Sequence, residues 1–87
     1  MIYSVDWTAE GRSQPARLWL DHVALRSAIT IAADRIDQSL ASNPKGSGKL
    51  ISEDLYAIER QPLRALFEIS DTAMRVVVVA VNIRVST

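Results

Sequence analysis

Six consecutive small apolar residues, Val76 to Val81, form the longest unbroken apolar run in the chain, inside the stretch RVVVVAVNIR that opens on Arg75 and closes on Arg84. A membrane-spanning helix needs roughly 18 to 20 such residues, so the run is far too short to cross a bilayer. Residues apolar on both phases of a period-two repeat predict an interior strand over Met74 to Ile83, covered on both sides. Upstream, Leu63, Ala65, Phe67 and Ile69 alternate with Arg64, Leu66 and Glu68, which predicts a strand with one buried face. Leu55 to Arg60 reads as the strand before it, with Gln61 and Pro62 as a tight turn and Ser70, Asp71 and Thr72 as the next turn.

The first half of the chain has a different rhythm. Tyr3, Val5 and Trp7 alternate with Ile2, Ser4 and Asp6, predicting a short strand over residues 2 to 7. Thr8 is then placed to cap a helix that reaches about Asp21, with Ala16, Trp19, Leu20 and Val23 at helical spacing. Gly11 and Pro15 disfavour its first turns, which predicts a kink or a late start near Ser13. A second helix is expected from about 22 to 41, because Leu25, Ala28, Ile29, Ala32, Ala33, Ile36 and Leu40 recur at helical spacing. The two helices, joined near Asp21 and His22, should form an antiparallel hairpin. Asn43, Pro44, Gly46, Ser47 and Gly48 predict a flexible loop after it.

The predicted class is therefore α+β: a single domain over residues 1–87, in the order β-α-α-β-β-β, with a helical hairpin packed on a mostly antiparallel four-stranded sheet. Composition narrows the function by exclusion. The 87 residues contain no cysteine, so neither a disulfide framework nor a thiolate metal site is expected, and a cytoplasmic setting is the default. The segment before Thr8 carries Asp6 and no basic leader, so it does not read as a signal peptide. Ten basic residues balance ten acidic ones, without the basic excess that most nucleic-acid binders use against phosphate.

Candidate chemistry is sparse. GSGK, Gly46 to Lys49, matches only the end of a phosphate-binding loop: Leu50 stands where a magnesium-holding Ser or Thr belongs, and the segment follows a helix. His22, the only histidine, has Asp21 beside it but no nucleophile at a catalytic spacing, so it reads as structural. Neither metal nor other cofactor is expected. Arg64 lies on the polar phase of its strand, where it can hold a phosphate or carboxylate, or simply pair with Glu59 or Glu68 across the sheet. With Arg60 and Arg84 at the ends of neighbouring strands, Arg64 makes a candidate anion site.

The segment LRALFEISDTAMRVVVVAVNIR, residues 63 to 84, resembles the third and fourth strands of the RelE/ParE superfamily of type II toxin-antitoxin toxins. In that family an arginine opens an apolar strand that ends in an acidic turn, and a valine-rich strand follows. IYSVDWTAEG and AITIAADRIDQSLASNP look like its first strand and second helix, so the resemblance spans nearly the whole chain. It implies a growth-inhibiting toxin, of a family associated with plasmid stabilisation, neutralised by a small antitoxin whose carboxy-terminal segment wraps it, in a homodimer or a hetero-oligomer with that antitoxin. It also implies one of two targets. The ribonuclease branch cuts messenger RNA in the ribosome with basic residues on the scissile phosphate; Arg64 matches its strand arginine, Arg84 its later basic residue, and Arg60 or Lys49 would assist. LYAIER, however, lacks the lysines of that branch, and no tyrosine or histidine follows the last strand. The ParE-like branch poisons DNA gyrase by binding, needs none of these, and is the expected one; a member that keeps only the fold is the remaining expectation.

Overall fold

The valine run is the strand β5 (Arg75–Ile83) of a five-stranded sheet in the computed structural model, which describes residues 2–83. The other strands are β1 (Ser4–Trp7), β2 (Lys49–Ser52), β3 (Leu55–Arg60) and β4 (Leu63–Ser70), in the spatial order β1-β5-β4-β3-β2. Only β1 and β5 run parallel; the remaining pairs are antiparallel. Three helices complete the fold: α1 (Ala9–Asp21), α2 (Arg26–Ser42) and the single turn α3 (Pro44–Ser47), with a 3-10 turn at Val23–Leu25 between the first two. The expected α+β architecture is present, with one strand more than expected.

The additional strand is β2, in a segment too short and too polar at its flanks to announce itself. Lys49 pairs with Ala57 and Leu50 with Tyr56, and Ile51 bulges before Ser52 meets Leu55. The preceding loop is also more ordered than its glycines suggest. Asn43 accepts the Gly46 N–H at 3.1 Å and so caps α3, whose first residue, Pro44, is buried. Gly48 is required by close approach: a Cβ there would stand 2.4 Å from Phe67 Cζ, so the chain can enter β2 only with a bare backbone over the ring.

Helix α1 begins at Ala9 and not near Ser13, because its first turn is fastened from outside. Thr8 Oγ1 accepts the Gly11 N–H at 3.0 Å and donates to the Val78 carbonyl at 3.2 Å, while the Thr8 N–H donates to the same carbonyl at 3.0 Å. The helix runs unbroken through Pro15. These contacts offset the propensity penalty of Gly11 and Pro15, as tertiary context commonly does. They also set which side of α1 faces inward. Gly11 is buried, Gln14 accepts the Val81 N–H, and Leu18 packs on the core. The apolar set at helical spacing lies outward: Leu20 is 63% exposed, Val23 67% and Trp19 39%.

Helix α2 behaves as its pattern predicts, with Ile29, Ala32, Ile36 and Leu40 buried. They meet Ile58 of β3, Leu63, Ala65 and Phe67 of β4, and Val76, Val78 and Val81 of β5 in one core, where each large side chain contributes roughly 1.5 to 3 kcal/mol. A bulge lets Val78 and Val81, three residues apart, point the same way: Phe67 pairs with Val78 and Leu66 with Ala80, leaving Val79 extra. The helices cover this face alone. Val77 and Val79 lie half-buried on the opposite, open face, so β5 is an interior strand covered on one side and not on two.

Ties outside the core close the ends. The Tyr3 N–H donates to the Ala41 carbonyl at 2.7 Å and Trp7 Nε1 donates to Asp37 at 3.1 Å, binding β1 to α2. Lys45 Nζ stands 2.6 Å from Asp71 Oδ2, and the Tyr3 hydroxyl donates to the other Asp71 oxygen at 3.2 Å. The hydrogen bond from Lys45 holds the Asp71 carboxyl below its ordinary value of 3.8, and the same bond raises the Lys45 ammonium above 10.5.

Two outcomes follow. Gly11→Ala should destabilise the chain although alanine favours helices, because its Cβ would meet the Val78 carbonyl oxygen at 2.6 Å; a loss of about 2 kcal/mol, on the order of 10 °C in thermal midpoint, is expected in a circular-dichroism melt. Asp71→Asn should lower the midpoint at neutral pH. The lowered carboxyl makes its share of stability fully present above pH 3.8 and lost as pH falls through the folded value, so the two proteins should converge in acid. They should converge again in alkali, as pH rises past the raised Lys45 value above 10.5; a constant offset across the pH series would contradict the assignment.

Candidate functional site

On the open face, β2, β3 and β4 enclose a hollow of about 580 Å³ lined by Ser47, Gly48, Lys49, Leu50, Ile51, Ala57, Glu59 and Arg64. Register explains who enters it. Lys49 lies opposite Ala57, and Glu59 lies opposite Arg64, so all four occupy one face of the sheet, while Ile58 and Ala65 between them face the helices. Ala57 keeps the floor low. Arg64 Nε stands 3.9 Å from Glu59 Oε1, a loose pair with side chains 30% and 48% exposed. The expected pairing of Arg64 across the sheet is therefore present, with Glu59 and not Glu68 as the partner. Among the described residues, Lys49 makes no ion pair. Among the described residues, the hollow thus carries two cations, Lys49 and Arg64, against one carboxylate, Glu59.

Of the expected anion site, Arg60 and Arg64 lie on opposite faces of the sheet and do not assemble. Arg60 lies opposite Leu63, on the helix side of the sheet, where it donates to Ser39 Oγ of α2 at 3.3 Å and to the Glu59 carbonyl at 2.7 Å. Alternation along β3 forbids it the face that Arg64 occupies: Leu63 and Arg64 are consecutive, and Arg60 pairs with the first. Arg84 lies outside the described residues. Arg75, at the start of β5, is exposed and paired with Asp6 at 2.6 Å. His22 serves the hairpin corner through its backbone, donating to the Leu18 carbonyl and accepting from the Leu25 N–H, both at 2.9 Å. GSGK is divided between the end of α3 and the start of β2 and forms no phosphate loop. Among the described residues no three His, Asp or Glu side chains group as metal ligands do.

A second surface lies on the outer side of the helical hairpin. Between α1 and α2, Pro15, Ala16, Trp19, Leu20, Ile29, Thr30, Ala33 and Asp34 line an apolar hollow of about 470 Å³. Its wall continues through Ile31, 52% exposed, to Arg26. Arg26 stacks on the Trp19 ring at 4.2 Å and donates Nε–H to the Trp19 carbonyl at 2.8 Å. One side chain thereby fixes the indole and satisfies a carbonyl in the last turn of α1. The signal was present in the sequence as Gly11, Gln14 and Leu18, a small and partly polar inner stripe that leaves the larger residues outside.

No family model and no curated protein matches the chain. Solved structures do. The Mycobacterium tuberculosis RelBE2 toxin-antitoxin complex contains a chain 20% identical to this one, matched over 99% of this chain and 95% of that one with a TM-score of 0.82. The chromosomal ParDE system of P. aeruginosa matches at 14% identity over 97% and 98% of the two chains, with a TM-score of 0.71. The isolated E. coli RelE toxin matches at 18% identity over 98% and 87%, with a TM-score of 0.60. At such identities the shared property is the backbone arrangement. The chain has the fold seen in RelE and ParE toxin structures.

Proposed function

We propose that this chain is the toxin component of a type II toxin-antitoxin system, neutralised by a small antitoxin and acting on its target by binding, as the ParE-like branch does on DNA gyrase. The observation that carries the reading is the outward apolar side of the helical hairpin, in a fold whose solved examples include toxin-antitoxin complexes. Trp19, Leu20, Val23 and Ile31 form an exposed apolar patch of the kind that marks a protein interface. Its hollow suits the apolar stripe of an amphipathic antitoxin segment that folds on contact. The open-face hollow is then the surface left for the target.

Binding is favoured over cutting by the electrostatics of that open face. Stabilising a phosphorane-like state takes several preorganised cations in one cleft. Here Arg64 is partly neutralised by Glu59, and Arg60 is committed to Ser39 on the other side of the sheet. The messenger-RNA ribonuclease remains the second reading because Lys49 and Arg64 share one hollow; Arg84 would add to them.

Induction of the chain alone should arrest growth, and co-expression of the small open reading frame beside its gene should restore it. Purified protein should block gyrase supercoiling and leave messenger RNA in stalled ribosomes intact; the reverse pair of results would install the ribonuclease reading. Ile31→Glu, at an exposed position, should fold and still arrest growth but escape antitoxin rescue by at least about tenfold in antitoxin dose, since a carboxylate in an apolar interface is costly to desolvate.

A further inference from the structure

The apolar side of the helical hairpin carries opposite charges at equal distances from its middle. Thr30 of α2 borders both hollows there, the one that includes Arg26 and the one that includes Asp34. Each of those charged residues stands four positions from Thr30, so the three lie along one stripe of the helix, with the charges about 6 Å to either side. Neither charge is spent. Arg26 gives its Nε–H to the Trp19 carbonyl and its plane to the indole, and among the described residues neither Arg26 nor Asp34 makes an ion pair. The surface beside them is apolar, with Trp19, Leu20 and Ile31 all in contact with solvent.

We propose that this face pairs with the same face of a second copy of the chain, in a twofold dimer whose axis passes Thr30. Such an axis reverses the neighbouring α2, so Arg26 of one copy comes beside Asp34 of the other, and the same pair forms again at the opposite end. A crossing of about 20°, one of the preferred packings of helices, keeps both pairs within reach. Charge complementarity selects this occupant. A different protein has to bring an acid and a base at matching places, whereas a second copy already carries them. Ten acidic residues against ten basic ones also leave no net charge to hold two copies apart. Arg26 arrives already oriented by Trp19, which lowers the ordering cost of its pair. The inference does not depend on the toxin reading; where that reading holds, the antitoxin segment and the second copy compete for one surface.

The test is sedimentation of the purified chain over a concentration series. The unaltered chain should dimerise in the micromolar range; a chain that stays monomeric throughout overturns the proposal and leaves the face to a different protein. Asp34→Arg, at an exposed and unpaired position, should fold and weaken self-association at least about tenfold, because it sets guanidinium against guanidinium at both ends. Arg26→Asp should do the same with carboxylates, and matched thermal melts check that each variant is folded. Mixing the two variants in equal amounts should restore the dimer, since each end of the mixed pair then joins an acid to a base. Glu53→Lys, in the turn between β2 and β3, should change nothing. No weakening in Asp34→Arg, no recovery on mixing two folded variants, or an equal loss in Glu53→Lys would each overturn the proposal. Growth arrest is read separately. A dimer with this exchange behaviour in a chain that arrests no cells removes the toxin reading alone, whereas a monomer that arrests cells removes the dimer alone.

Discussion

The carbonyl of Val78 is the point on which the arrangement of layers depends. It receives both the N–H and the hydroxyl of Thr8, and the bare backbone of Gly11 passes close above it. Strand β1 ends at this carbonyl and α1 begins there, so the helix is laid along the edge of β5 that β1 no longer covers. Gln14 then takes the Val81 N–H one helical turn on. The β-bulge at Val79 belongs to the same device: it turns the strand so that Val81 rejoins the core while its backbone N–H meets a helix side chain. A main-chain edge that would otherwise need another strand is satisfied by a helix.

This attachment fixes what remains exposed. With Gly11, Gln14 and Leu18 spent on β5 and the core, the bulkier side of α1 has no layer to cover it and forms, with Ile31 of α2, the apolar hollow. Both helices lie over one face of the sheet, so the other face is left to Lys49, Glu59, Arg64 and the outward valines. The chain therefore presents two chemically distinct surfaces on opposite sides: one apolar and held by the stacking of Arg26 on Trp19, the other charged and shaped by strand register.

How much was legible depended on whether a signal was periodic or relational. The α2 stripe, the alternation of β4 and the valine run of β5 are local repeats, and each marked its element and its buried face. For α1 the Thr8 cap was legible, but the kink or late start expected near Ser13 is absent because Thr8 and Gly11 are fastened at Val78, some 70 residues away in the chain, which no local propensity registers. The apolar side of α1 has the same period whether it meets a core or a partner, so periodicity found the stripe without naming its neighbour. Strand β2 was missed for brevity. In the candidate site, the pairing of Arg64 with Glu59 was readable from phase and spacing. The position of Arg60 was not, because the face it takes depends on the turn at Gln61–Pro62 and the register that turn imposes, with Arg60 set against Leu63.

The bulge at Ile51 has a bearing on solubility during synthesis. Strand β2 forms the margin of the sheet, and an unpaired margin is a template on which identical chains can stack. This one is four residues long, opens on a lysine and breaks its own register after Leu50. A second copy approaching it would find no more than two residues in regular pleat before the spacing fails, and would bring its own lysine charge with it. The apolar pair Leu50 and Ile51 can accordingly remain exposed without seeding sheet-to-sheet growth.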